Sequence, residues 1–248
     1  MKLFLTALMF YTRIPVPKNI DHSSEMLNKA TRYFTLIGLI VGALIGLVYY
    51  GTALLFSHEI AICLALVSGI LITGAFHEDG LADVCDSFGG GYSVLQKLNI
   101  MKDSRVGTYG VIALVLALLL KFLILSEIKI YLVEFFVIMH TLSRLSPVII
   151  IMSSKYVRED ELSKVKPIGK RLTIPEFVIA FIIGVSPTLL IGFDGLYLIA
   201  PMLISTIFCR WLFIRHLGGY TGDCLGAAQQ ITELVLYASS LLVCAYIL

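Results

Sequence analysis

Charge is what this sequence has least of. Only 15% of its 248 residues are Asp, Glu, Lys or Arg, while 58% are hydrophobic and the mean hydropathy is +0.91. A soluble domain carries about 25% charged residues, so a chain this poor in charge reads as an integral membrane protein. The net charge of +2 is small and dispersed, which excludes nucleic acid as a partner. Cysteine is also scarce: Cys63, Cys85, Cys209, Cys224 and Cys244 are scattered, with no CxxC pair and no histidine at zinc-ligand spacing. That excludes a disulfide framework and a structural zinc site. The apolar stretch Leu3 to Phe10 lacks the length and the small-residue cleavage site of a signal peptide, and reads as a short segment at the membrane interface.

What the chain has is long apolar runs. They fall at about 34–56, 58–76, 108–125, 130–152, 174–193, 195–214 and 230–248, each near the roughly 20 residues a helix needs to cross a bilayer. The prediction is an all-α fold, a polytopic transmembrane helix bundle of about seven spans, with residues 1–248 forming a single integral-membrane domain. Before the first span, 19–32 reads as a short amphipathic helix capped by Asp21 or Ser23. Gly38, Gly42 and Gly46 make a small-residue stripe suited to helix packing.

Lys and Arg cluster in the N-terminal tail, the 77–107 loop and the 153–173 loop, with Arg215 in the 215–229 loop; the alternate loops hold only Lys129. The positive-inside rule then places the N-terminus and every long polar loop in the cytoplasm, and the C-terminus outside. Lys121 and Glu134 are expected to snorkel to the outer interface. Arg144, one turn from His140, must pair inside the bundle, and its planar fork suits either a phosphate or a structural ion pair. Arg210 invites the same reading, more weakly.

Between the second and third spans stands GAFHEDGLADVCDSFGGG, residues 74–91. Asp79, Asp83 and Asp86 are spaced i, i+4 and i+7, which on a helix puts them within roughly a 60° arc. Three like charges on one face call for a cation, and the compact answer is a hard divalent ion, Mg²⁺ with Mn²⁺ as the alternative. Gly80 would let a ligand or another helix approach closely. A solvated acidic turn is the competing reading. Gly89, Gly90 and Gly91 are expected to form a flexible link that closes over substrate. The segment IMKDSRVGTYG, residues 100–110, places Lys102, Asp103 and Arg105 together. Such a set would surround a pyrophosphate, the cations on its oxygens and Asp103 available to the metal. In the last loop, a helix starting near Thr221 aligns Asp223, Gly226, Gln230 and Glu233 into a polar stripe that needs a cavity to line.

HEDGLADVCDSFGGG, IMKDSRVGTYGV and GGYTGDCLGA, in this order and separated by spans, resemble the cobalamin synthase family, the adenosylcobinamide-GDP ribazoletransferases. The similarity extends to FYTRIPVP near the N-terminus and RYFTLIG before the first span. It implies a multi-pass transferase of the prokaryotic inner membrane that completes the nucleotide loop of vitamin B12. Such an enzyme joins α-ribazole or its 5′-phosphate to adenosylcobinamide-GDP with release of GMP, and requires Mg²⁺. Membrane lipid and other cobalamin-assembly enzymes are its implied partners. Carried over residue by residue, His77, Glu78, Asp79, Asp83 and Asp86 are metal and phosphate-site groups, with Glu78 counted among the metal ligands. Lys102, Asp103 and Arg105 are phosphate contacts, and Asp223 is a further active-site carboxylate. His77 is the first choice of general base, since an unperturbed imidazole titrates near neutrality.

Two alternatives stand beside this. CDP-alcohol phosphotransferases also carry a DG-containing acidic motif, but here Asp79-Gly80 is followed by Ala82-Asp83 and no second acidic pair appears downstream. An ion-coupled transporter should place broken helices and charge at mid-membrane, whereas these carboxylates gather at span ends.

Overall fold

The computed structural model describes residues 2–17, 19–20, 23–158 and 172–246. Lys18, Asp21 and the loop cations Lys164, Lys166, Lys170 and Arg171 lie outside the described residues.

Among the described residues the regular structure is all helical, apart from one isolated bridge between Tyr156 and Tyr220. Six helical segments are long and apolar enough to cross a membrane, and a bent helix pair raises this to seven if taken as one crossing. Helices dominate because in hydrocarbon every backbone N–H and C=O must be satisfied within its own segment. The protein is a multi-pass membrane bundle.

Two short helices come first: α1 (Lys2–Tyr11) and α2 (Ser24–Ala30), the latter capped by the Ser23 hydroxyl as the sequence led us to expect. The first crossing, α3 (Phe34–Ala53), packs along α8 (Leu132–Leu142) through its glycine stripe. A Cβ on Gly38 would lie 2.2 Å from the His140 carbonyl oxygen, and one on Gly42 2.5 Å from that of Phe136. The stripe is helix packing, as read. A turn at Ser143 and Arg144 separates α8 from α9 (Leu145–Ser153). Pro147 explains it, because its ring displaces the carbonyl four residues back and it has no N–H to donate. Together α8 and α9 form the most enclosed of the crossings.

The crossing α4 (His58–Thr73) ends sooner than the hydropathy indicated. Gly74 (φ 68°) and Ala75 (φ 58°) both adopt left-handed backbone, and α5 (Phe76–Gly90) leaves at 87° to α4. The N-terminal segment closes this corner: the Arg13 amide donates to the Ile72 carbonyl (2.7 Å) and its side chain lies against Gly74. Gly89 and Gly90 are the last residues of α5 and not a flexible link; Gly89 packs under the Tyr109 ring. After α6 (Val94–Ile100), α7 (Thr108–Glu127) begins the next crossing.

Following α9, α10 (Ile174–Val185) starts from a Thr173–Glu176 capping box and runs into two 3₁₀ turns. Then α11 (Ile199–Leu217) ends at left-handed Gly218, and α12 (Gly222–Tyr246) returns. This last crossing starts about two turns before the apolar run at 230, since its first residues are polar and small. The early start puts the stripe from Asp223 to Glu233 on a helix.

Candidate active site at the mouth of the bundle

The second half of α5 lies at one end of the bundle, level with the first residues of α7 and α12 and outside the crossings. Gly80 sets its contact with α12: an added Cβ would stand 2.7 Å from the Asp223 carbonyl oxygen and 3.2 Å from Gly226 Cα. Two glycines meeting at a helix crossing let the backbones approach closely. The sequence expectation of a close approach at Gly80 holds, and the approaching partner is α12.

This crossing brings Asp79 and Asp83 of α5 to face Asp223 of α12. Asp79 is exposed, while Asp83 and Asp223 are half-buried. Burial, then the Asp223 and Asp79 carboxylates, push the Asp83 carboxyl up to about 7. Among the described residues one cation answers them: Arg158, whose Nη2 lies 2.9 Å from Asp223 Oδ2. Its position follows from backbone pairing, because the Tyr220 amide donates to the Lys155 carbonyl (2.9 Å) and the Val157 amide to that of Tyr220 (3.0 Å). Gly219 is required there, since a Cβ would fall 2.2 Å from the Lys155 oxygen. At the start of α12 the Thr221 hydroxyl accepts the Cys224 amide (3.3 Å). Sequence reading did not single out Arg158; it looked like one more cytoplasmic cation.

Asp86, the third of the aligned aspartates, does something else. Its Oδ2 accepts the Gly107 amide (2.7 Å) and its Oδ1 the Gly110 amide (2.8 Å), so it caps the N-terminus of α7 from outside. Both glycines are in van der Waals contact with this carboxylate, and a Cβ on either would fall 2.5 Å from it. A carboxylate at a helix N-terminus satisfies orphan amides and the helix dipole together. Gly107 and Gly110 are thus accounted for by Asp86 and not by a pyrophosphate.

His77 and Glu78 point inward, away from the mouth. His77 is 2% exposed and packs against the Phe34 and Phe76 rings. Glu78 Oε1 accepts from Gln230 Nε2 (3.1 Å). Both line a cavity of ≈ 20 Å³ shared with Lys121, His140, Arg144, Gln229 and Glu233, large enough for a water but for no substrate. Arg144 is 1% exposed, donates from Nη1 to the His140 carbonyl (2.6 Å) and lies over the Phe34 ring. Among the described residues no carboxylate stands within ion-pair distance of it, so neither a phosphate contact nor an ion pair is displayed. Lys121 does not snorkel: it is buried and paired to Glu233 at 2.7 Å. An internal counter-charge holds it more strongly than the interface attracts it, and Glu233, eleven residues into α12, was visible in the polar stripe. Glu134 sits half-buried in the first turn of α8. Arg210 donates to the Ser153 carbonyl and ties α11 to the end of α9.

Asp103 and Arg105 form an exposed bidentate pair in the loop before α7. Hydrogen bonds from the Arg105 side chain and amide hold the Asp103 carboxyl down at about 2. Lys102, in the same loop, is also exposed.

The donor set at the mouth fits a hard divalent ion. Mg²⁺ prefers oxygen ligands, commonly one or two carboxylates completed by water and substrate phosphate. Asp79, Asp83 and Asp223 are oxygen donors facing one space, and their crowding is what a cation would relieve. Among the described residues no group of three His, Cys, Asp or Glu side chains is gathered tightly enough to hold an ion alone. The set Asp79, Asp83 and Asp86 read from spacing, with Glu78 added by the resemblance, is therefore revised: Asp86 is engaged by α7 and Glu78 faces the interior.

Comparison with known proteins now bears on these residues. The family described as Cobalamin-5-phosphate synthase matches residues 3–241. The chain belongs to that family. Among its relatives, an adenosylcobinamide-GDP ribazoletransferase of Shewanella amazonensis is 48% identical over 249 residues, covering 98% of this chain and 95% of the relative. The protein of the same name from Shewanella woodyi is 46% identical, covering 95% and 93%. That of Vibrio cholerae is 44% identical, covering 96% and 92%. No solved structure matches.

Proposed function

We propose that the mouth formed by α5, α12 and the Arg158 segment is where this chain performs nucleotide-loop assembly. Family membership over nearly the whole chain makes it an adenosylcobinamide-GDP ribazoletransferase, an enzyme of the final nucleotide-loop assembly step of cobalamin biosynthesis. The observation that carries the site is the facing of Asp79 and Asp83 with Asp223 across the Gly80–Gly226 contact.

In this reading a ribose hydroxyl of α-ribazole, or of its 5′-phosphate, attacks the phosphorus attached to cobinamide. The new P–O bond forms as the bond to GMP breaks, GMP leaves with the electron pair, and the hydroxyl proton passes to a carboxylate at the mouth. Asp79, Asp83 and Asp223 are the residues that would hold Mg²⁺ or Mn²⁺, with water and substrate oxygens completing the shell. When bound, the ion neutralises charge gathering on the phosphate oxygens. His77, buried between Phe34 and Phe76, is not at the mouth, so the proton acceptor is sought among the carboxylates there. Arg158, beside Asp223 at the mouth, supplies a guanidinium fork that suits a substrate phosphate. Lys102 and Arg105 supply positive charge on the adjoining loop and meet the anionic substrate outside the metal position. Arg144 is too enclosed to touch phosphate and acts inside the bundle. The acidic mouth and the loop cations lie on the cytoplasmic side of a prokaryotic inner membrane, with lipid around the crossings. There the protein meets adenosylcobinamide-GDP from other cobalamin-assembly enzymes.

The test is direct. Purified protein in detergent, given adenosylcobinamide-GDP, α-ribazole 5′-phosphate and Mg²⁺, should release GMP in step with formation of the joined corrinoid, and a chelator should stop both. Release of GDP instead, or turnover indifferent to the chelator, contradicts the scheme.

A further inference from the structure

The interior holds a second set of ionisable groups that the chemistry at the mouth does not use. Lys121 of α7 is 3% exposed, and its ammonium lies 2.7 Å from Glu233 Oε1 of α12. The same ammonium donates to Gln230 Oε1 (2.7 Å), and Gln230 Nε2 donates to Glu78 Oε1 of α5 (3.1 Å). His140 of α8 sits 3.3 Å from the other Glu233 oxygen. One connected chain of polar contacts thus joins α5, α7, α8 and α12.

Cohesion alone does not account for it. Ionic groups inside a membrane bundle are expensive, and well-packed apolar side chains of similar volume often hold helices together at least as well as a buried ion pair. What an ion pair adds is direction, because its oxygens and protons admit few geometries. α5 is the element in need of direction. The left-handed pair Gly74–Ala75 breaks it from α4, so helix continuity does not fix its orientation. Asp86 pins its far half to α7. On the near half, the Gly80–Gly226 contact brings the backbones together, and Glu78 is the side chain whose hydrogen bond to Gln230 ties α5 to α12 there. Glu78 immediately precedes Asp79.

We propose that Lys121 and Glu233, acting through Gln230 and Glu78, are positioning residues that set the roll of α5 and so the placement of Asp79 and Asp83 at the mouth. This rests on the mouth being the reactive site.

Backbone hydrogen exchange on the full-length protein in detergent, without substrate or metal, tests it alongside turnover. Lys121→Met combined with Glu233→Met removes both charges while nearly keeping volume. Amides of 76–90 should then exchange about 10-fold faster than in wild type, with those of α3 and α8 unchanged. Turnover should fall about 10- to 100-fold, since a displacement near 1 Å costs about that much. Wild-type exchange in α5 overturns the proposal, as does equal acceleration in every helix, which marks a merely cohesive network. Selective loosening of α5 with full turnover overturns the siting of the chemistry on α5 while the tether stands, so the two failures are distinct. If the double variant does not assemble, Gln230→Met, paired with Glu78→Gln so that no carboxylate is left unpartnered, cuts the same path and is read by the same criteria.

Discussion

Asp86 and Asp79 stand two turns apart on α5 and differ in everything the spacing could not show. Asp86 gives both oxygens to α7 amides, so Asp86→Asn loses one of two charge-assisted bonds at a helix N-terminus. The expected loss is about 1 kcal/mol, read as a lower unfolding temperature with the half-saturating Mg²⁺ concentration unchanged. A variant that unfolds like wild type but needs far more Mg²⁺ would return Asp86 to the metal site. Asp83 predicts a pH dependence. Its folded pKa, raised to about 7 by burial and by Asp223 and Asp79, lies above that of the unfolded chain. The stability it contributes is therefore fully present below about 4 and is lost as pH rises through about 7. Activity runs the other way, because either role, ligand or base, needs the ionised carboxylate. GMP release at limiting Mg²⁺ should climb as pH rises through about 7, and a flat profile between about pH 6 and 8 would contradict it. The sequence allowed the three aspartates to be placed on one helix. It could not show which neighbour each faced, because that depends on α5 turning through 87° at two residues of which one, Ala75, carries no turn signal.

At the scale of elements, the crossing of α5 and α12 decides the site. Gly80→Ala would drive a methyl toward the Asp223 carbonyl from an unrelaxed separation of 2.7 Å, forcing the helices apart by several tenths of an ångström. Turnover should fall about 10- to 100-fold with the crossings still folded. Gly51→Ala, where a Cβ meets nothing within 4 Å, is the control and should be silent. Equal activity in both variants would mean that the close approach does not matter. Helix existence was legible in the apolar runs, and so were the glycine stripe of α3 and the Ser23 cap. The ends were less so: α4 stops at Gly74 because two left-handed residues intervene, and α12 starts early because Thr221 caps a polar turn that hydropathy ignores. Lys121 was misplaced for a related reason. Its partner, Glu233, lies more than one hundred residues away, and only packing of α7 on α12 makes them neighbours.

For the whole molecule, among the described residues, the acidic mouth with Arg158 and the loop carrying Arg105 occupy one end of the bundle, and Lys129 and Glu59 the other. In a background lacking the native cysteines, Ser93→Cys should react with an impermeant maleimide only once the cytoplasmic face is opened. Phe193→Cys, 82% exposed at the opposite end, should react in intact cells. The reverse pattern would invert the orientation. Fold class was legible because scarcity of charge leaves few alternatives, and the three motifs pointed to the family. The role of Arg158 was not, since its pairing with Asp223 depends on a two-residue bridge between distant loops. The most direct measurement is GMP release against Mg²⁺ concentration for wild type, Asp79→Asn, Asp83→Asn, Asp223→Asn and the control Glu59→Gln. The account predicts that each of the three mouth variants needs at least about 10-fold more Mg²⁺ and turns over more slowly, while Glu59→Gln follows wild type; three mouth variants on the wild-type curve would contradict it.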